Sequence, residues 1–166
     1  MGVNTPDVAA PRPLSADHDT SAFTCRHPSL CIWLKKRALA NAVSGASRTY
    51  VVCTAERSVL GYYALAAGSI AAAAAPGRLR RNMPDPRPLI VLGRLAVRSD
   101  CCGQGIGGGL LKDAVLRSIQ AAELIGIRAL LCHAIDDEAK AFYLKHGFVE
   151  SPRDPLEVLL GLRQTD

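Results

Sequence analysis

Five glycines in seven residues, Gly103-Gln104-Gly105-Ile106-Gly107-Gly108-Gly109, constrain this chain more than any other stretch. They stand between a continuous apolar run, Leu89 to Val97, and a segment whose Leu110, Leu111, Ala114, Val115, Ile119 and Ala122 recur at helical spacing. A run apolar on both faces apart from Arg94 predicts a buried strand, and the spacing after the glycines predicts a helix. Strand, glycine loop and helix in that order let successive backbone N–H groups close on an anion, and the helix N-terminus adds partial positive charge. A pyrophosphate is the natural guest of such a loop; a flexible turn is the plain alternative.

Two better-known phosphate motifs do not fit. Residues 103 to 108 satisfy G-x-G-x-x-G, but the dinucleotide fingerprint also wants an acid about twenty residues further on, in the next strand. That strand, Arg128 to Ile135, contains none, and the loop comes too late in the chain for a doubly wound sheet. No Gly-Lys-Ser/Thr occurs, which excludes a P-loop.

The remaining punctuation predicts the other elements. Pro28 opens a helix that runs through Leu30, Trp33, Leu34, Ala38 and Val43 to Gly45. Thr49 to Thr54 and Val59 to Ile70 read as an antiparallel pair of strands, with Gly61 marking a bulge. Residues 71 to 88 read as a long loop rich in Ala, Pro and Arg. Asp136 to His146 reads as a short helix with acids at its start, stopped by Gly147. Phe148 to Glu150 and Leu156 to Leu162 read as closing strands. Hairpins together with a strand–helix–strand unit predict an α/β fold with a mixed sheet. The length of 166 residues suits one domain spanning 1–166. Residues 1–13 have no evident role and are a candidate for disorder.

Charge is distributed unevenly. The chain carries +5 in all, but Thr20 to Ser99 holds twelve basic residues against Glu56 and Asp85 alone, a surplus of ten. Such a surplus suits a polyanionic partner such as a phosphate backbone; a solvated, solubilising surface is the bland reading. Six cysteines show neither CxxC nor paired Cys/His spacing, so no metal site is expected and a reducing, cytoplasmic compartment is. Cys25, His27 and Cys31 make the one cluster. No apolar stretch reaches the ~20 residues of a membrane span, and the N-terminus lacks the basic and apolar regions of a secretory leader.

VLGRLAV, CCGQGIGGGLLKDAV and HAIDDEAKAFYLKHGF together resemble the GNAT acyltransferase fold. With CIWLKKRALAN and VLGYYAL added, nearly the whole chain resembles the TacT-like GNAT toxins of bacterial toxin–antitoxin pairs, which acetylate the α-amine of aminoacyl-tRNA. The resemblance implies a GNAT fold, a mixed central sheet flanked by helices. It implies acetyl-CoA as co-substrate, its pyrophosphate gripped by Cys102, Gly103, Gln104, Gly105, Ile106, Gly107 and Gly108. Main-chain groups of Leu95, Ala96 and Val97 would meet the pantetheine and carbonyl. The family motif is Gln or Arg, two residues, then Gly-x-Gly. Gly105 and Gly107 match it, and Cys102 takes the leading place, which leaves the backbone amides intact and removes one side-chain contact.

Acetyl transfer to an amine needs a neutral amine, a polarised carbonyl and an acid for the departing thiolate. Tyr143 is the expected acid, since a phenol near pKa 10 holds its proton at pH 7; packing beside Phe142 and Phe148 is its bland reading. Residues 86 to 99 contain no carboxylate to serve as base. That points to an amine already partly neutral: an α-amino group near 7.7–8.0, lower still as an ester, rather than lysine near 10.4. His133 is a weaker candidate base. The missing base and the basic surplus agree on charged tRNA, with Lys35, Lys36, Arg37, Arg78, Arg80 and Arg81 holding phosphates and Arg94 and Arg98 nearer the site.

Two other functions are compatible with the sequence: acetylation of a protein or small-molecule amine, and a non-catalytic partner-binding module on the same scaffold. The family resemblance further implies a ribbon-helix-helix antitoxin as partner, DNA reached only through the antitoxin complex, repression of translation by the free toxin, and a homodimer.

Overall fold

The computed structural model describes residues 9–70 and 87–162. Along the chain run β1 (Arg12–Pro13), α1 (Pro28–Lys36), α2 (Ala38–Ser44), β2 (Arg48–Cys53), β3 (Val59–Ile70) and β4 (Arg87–Val97). A 3-10 turn (Ser99–Cys101), α3 (Ile106–Leu124), β5 (Ala129–His133), α4 (Asp137–Lys145), β6 (Val149–Glu150) and β7 (Glu157–Gly161) follow. The sheet is mixed and has the order β1-β2-β3-β4-β5-β7-β6. Two compact units can be distinguished: Met1–Leu65 with Arg94–Ala114, and Ala66–Gly93 with Val115–Asp166.

In the first unit the β-branched and aromatic run of β2 pairs antiparallel with β3, Tyr50 opposite Tyr63 and Val51 opposite Tyr62. The register slips between Val52 and Cys53, opposite Gly61 and Val59, so the bulge expected at Gly61 is present. Gly61 also sits at a close approach. A Cβ on Gly61 would lie 2.9 Å from Leu110 Cδ1 and 3.3 Å from the Ala96 carbonyl oxygen. The core beneath joins Phe23, Trp33, Leu34, Ala38, Val51, Val59, Tyr62 and Ala96. Tyr62 stacks on Trp33 at 6.0 Å and donates its hydroxyl proton to the Leu30 carbonyl at 2.6 Å.

Three expectations change here. The single helix predicted from Pro28 to Gly45 is two, broken at Arg37, and Val43, read into the buried stripe, is 84% exposed. No glycine or proline marks the break, and Trp33, Leu34 and Ala38 on either side of it are buried in one core. Within the segment expected as disordered, Arg12 and Pro13 form a strand that pairs with Val51 and Tyr50, and residues 1–8 lie outside the described residues. The loop predicted to end at residue 88 gives way to β4 at Arg87, a buried residue.

In the second unit β5 lies parallel to β4, Ile90 opposite Leu130, and antiparallel to β7, which pairs with β6. Leu89, Ala129, Leu131 and Leu159 pack together. The unbroken apolar burial expected for β4 is not found: Leu89, Ile90 and Leu92 are buried, Val91 is half-buried, Gly93 is exposed, and beyond it Ala96 alone is buried. Asp136 caps α4, its carboxylate accepting from the Ala139 amide at 2.8 Å. At the other end the Tyr143 carbonyl accepts from the amides of His146 and Phe148, which folds Phe148 back onto the Tyr143 ring.

Candidate active site

The glycine loop owes its shape to two backbone torsions. Gly103 and Gly105 have φ of +78° and +80°, in the left-handed region that a β-carbon disfavours. Alternating such residues with ordinary ones turns neighbouring N–H groups the same way, into an anion-binding nest. The first α-helical hydrogen bond runs from the Gly109 amide to the Gly105 carbonyl, 3.1 Å. Helix geometry therefore leaves the amides of Ile106, Gly107 and Gly108 without an intrahelical acceptor, at the positive end of the dipole. No side chain at 103, 105, 107, 108 or 109 stands in front of them. A diphosphate fits this chemistry. Cys102 is exposed, and its thiol points back to the Arg98 carbonyl at 3.7 Å.

Both ends of the loop are fastened within the first unit. On the strand side Arg98 grips Asp100 with two hydrogen bonds, 2.6 and 3.1 Å, and reaches the Ser58 hydroxyl at 3.2 Å. That grip holds the Asp100 carboxyl below its ordinary range. Arg98, expected near the site, is thus a strut of the loop. On the helix side the buried Tyr63 donates its hydroxyl proton to the Asp113 carboxylate, and Tyr50 stacks on Tyr63 at 5.2 Å. Of the strand residues, Ala96 is buried while Leu95 and Val97 are half-buried.

The cationic residues divide into three groups. Lys35, Lys36 and Arg37 are exposed at the junction of α1 and α2. Arg94 lies flat over the Trp33 ring, 4.3 Å from its centroid, which places a guanidinium on an aromatic floor. Arg78, Arg80 and Arg81 lie outside the described residues.

Tyr143 belongs to the second unit. Its ring is 5% exposed and lies 5.4 Å from both Phe142 and Phe148, so the packing read as its bland alternative is real. Its hydroxyl is hydrogen-bonded to the Cys132 thiol of β5. Burial, then the neighbouring sulfur, pushes the phenol well above 10, and burial pushes Cys132 up to about 12. Tyr143 is therefore held as a proton donor. His133 is exposed and sits 3.9 Å from Asp154. Residues 87–97 of β4 carry no carboxylate. Trp33, Tyr63, Asp113 and Cys132 were not singled out from the sequence as parts of a site. The lone tryptophan and the acid set into the apolar face of α3 were the available signals.

The GNAT class follows first. The chain matches the family described as acetyltransferase (GNAT) domain over residues 46–150, and it belongs to that family. Within it, the chain is 54% identical over 155 residues, 93% of either protein, to the tRNA-acetylating toxin of Mycobacterium tuberculosis (strain ATCC 25618 / H37Rv). Its fold matches AtaT complexed with acetyl-methionyl-tRNAfMet at a TM-score of 0.86 and 28% identity, covering 93% of this chain and 95% of that one. It also matches a mutant AtaT toxin bound to the C-terminus of the antitoxin AtaR and acetyl-CoA, at 0.79 and 26% identity over 94% of each.

Proposed function

We propose that this chain is an acetyl-CoA-dependent N-acetyltransferase that acetylates the α-amino group of aminoacyl-tRNA and so inhibits translation, as a toxin held in check by an antitoxin. One observation carries the reading: near full-length identity of 54% to a tRNA-acetylating toxin, in a chain whose strand–loop–helix has the backbone a coenzyme A diphosphate needs.

The loop amides bind the diphosphate, and the main chain of Leu95, Ala96 and Val97 aligns the pantetheine. The neutral α-amine attacks the thioester carbonyl carbon. As the new C–N bond forms, the amine gives up a proton to water, and the C–S bond then breaks. The thiolate takes its proton from the Tyr143 hydroxyl, the phenolate is reprotonated from the water that received the amine's proton, and the products are the N-acetylated aminoacyl-tRNA and coenzyme A. Lys35, Lys36, Arg37, Arg78, Arg80 and Arg81 hold tRNA phosphates, and Arg94 on Trp33 offers a fixed charge beside them. An antitoxin of the ribbon-helix-helix class, DNA contact only through that complex, a homodimer and a cytoplasmic location belong to the same reading. Among the described residues no helix is long and apolar enough to cross a membrane.

The test is transfer of label from acetyl-CoA to total aminoacylated tRNA, with deacylated tRNA as control and Tyr143→Phe alongside. Label on the amino acid, lost in the variant and absent from the control, supports the reading. Bound acetyl-CoA with no label on charged tRNA discards the acceptor and keeps the fold.

A further inference from the structure

Cys25 and Cys31, two members of the one Cys/His cluster in the sequence, are brought together by the fold. Cys25 lies in the segment ahead of α1 and Cys31 in the first turns of that helix, with Pro28 between them. Both are free thiols, and their sulfur atoms are in direct contact, 2.6 Å apart, against ~2.05 Å in a formed disulfide. Both surround the carbonyl oxygen of His27, at 3.1 and 3.9 Å. Cys25 is half-buried and open to a small reagent, whereas Cys31 is buried in the core beside Trp33. The other cysteines differ: the Cys132 sulfur is bonded to Tyr143, and that of Cys102 to a backbone carbonyl. Among the described residues no group of three His, Cys, Asp or Glu is placed to hold a metal ion.

We propose that Cys25 and Cys31 form a redox-modification site, a dithiol that small-molecule disulfides convert to an intrachain disulfide closing residues 25–31 into a ring at the start of α1. The Cys25 thiolate attacks one sulfur of oxidised glutathione, forms a mixed disulfide and releases the first glutathione. Cys31, giving its proton to solvent, attacks the Cys25 sulfur and releases the second. Two electrons pass from the protein dithiol to glutathione, and the two protons end on the released thiols. The effective concentration of Cys31 at the mixed disulfide makes the second step fast. The ring ties down the helix that carries Trp33, beneath Arg94, and Lys35 and Lys36. In a glutathione-reducing compartment the pair stays open, and a shift to oxidising poise closes it.

Burial and the adjacent sulfur push the Cys25 thiol up to about 11, which slows the first step at neutral pH. The full chain is therefore incubated at mildly alkaline pH for hours with oxidised glutathione, alkylated and read by intact mass and peptide mapping. The expected result is loss of two of the six alkylatable thiols, no retained glutathione, and reversal by dithiothreitol. Trypsin cuts after Arg26, so the bond appears as a cross-link between two peptides. Cys31→Ser keeps one glutathione on Cys25. Glutathione retained on Cys25 of the unmodified chain, a bond mapped to any other pair, or six free thiols overturns the proposal.

Discussion

Tyr143 keeps its proton because burial strips its phenolate of solvation and Cys132 adds repulsion, while nothing cationic is among the causes that move it. On the proposed mechanism, the ionisation that limits the rate near neutrality then belongs to the substrate amine, not to Tyr143. We expect kcat/KM to rise with unit slope below an amine pKa of about 7.7 or lower and to level off, with no fall before pH 10. Tyr143→Phe should keep that profile at a plateau about 10²–10⁴-fold lower, with acetyl-CoA binding retained. Initial rates on short time points across pH check both. A descending limb near pH 8 would place a different acid at the thiolate. Arg94 and Trp33 show a second residue-scale lesson: charge counting marked the arginine, but only the fold set it on an aromatic ring.

At the scale of elements, the unit that matters is β4, the loop and α3, and its two kinds of glycine should fail differently. Gly105 has open space where a Cβ would go but a φ of +80°. Gly105→Ala therefore costs about 1–2 kcal/mol in backbone strain, concentrated in the loop. We expect acetyl-CoA affinity, by calorimetry, to fall about tenfold or more, beyond the few degrees of Tm that the strain itself costs. Gly61 has ordinary torsions and no room, with Leu110, Ile106 and the Ala96 carbonyl around it. Gly61→Ala should cost about 1–3 kcal/mol by overpacking, and Tm is the quantity that moves. If Gly105→Ala lowered Tm as much as Gly61→Ala and left binding intact, the loop would be a structural turn. The glycine loop was legible in sequence because each glycine replaces a side chain that would block an amide. The break at Arg37 was not, because no local residue marks it.

Across the whole molecule, electrostatics act in two opposite ways. The basic surplus between Thr20 and Ser99 is long-ranged and screened by salt. Affinity for charged tRNA should fall on the order of 10³-fold between 50 and 200 mM salt if about six phosphates are engaged, and charge reversal at Lys35 and Lys36 should flatten the slope. The buried thiol and phenols are insulated from salt and set the alkaline limit of stability. Cys132 is raised from 9.0 to about 12, and Tyr62 and Tyr143 are raised above 10. Below pH 9 both folded and unfolded chains keep these protons, so their contribution is whole. Above it the unfolded chain loses protons that the folded chain retains, and stability declines as pH climbs towards 12. Urea midpoints from pH 7 to 11 should stay level to about 9 and then drop, and Cys132→Ala should delay the drop. The sequence by itself determined the strand–glycine loop–helix succession, the acid-free β4 and the acid candidate on α4, because each depends on residue spacing and local torsion. The tertiary structure alone decided that Arg98 is a strut, that Tyr63 pins Asp113, that Cys132 faces Tyr143 and that Cys25 meets Cys31. All but the last join separate elements or turns. Even Cys25 and Cys31, six residues apart, meet across the start of α1, whose buried residues the core holds in place, and no spacing rule carries that information.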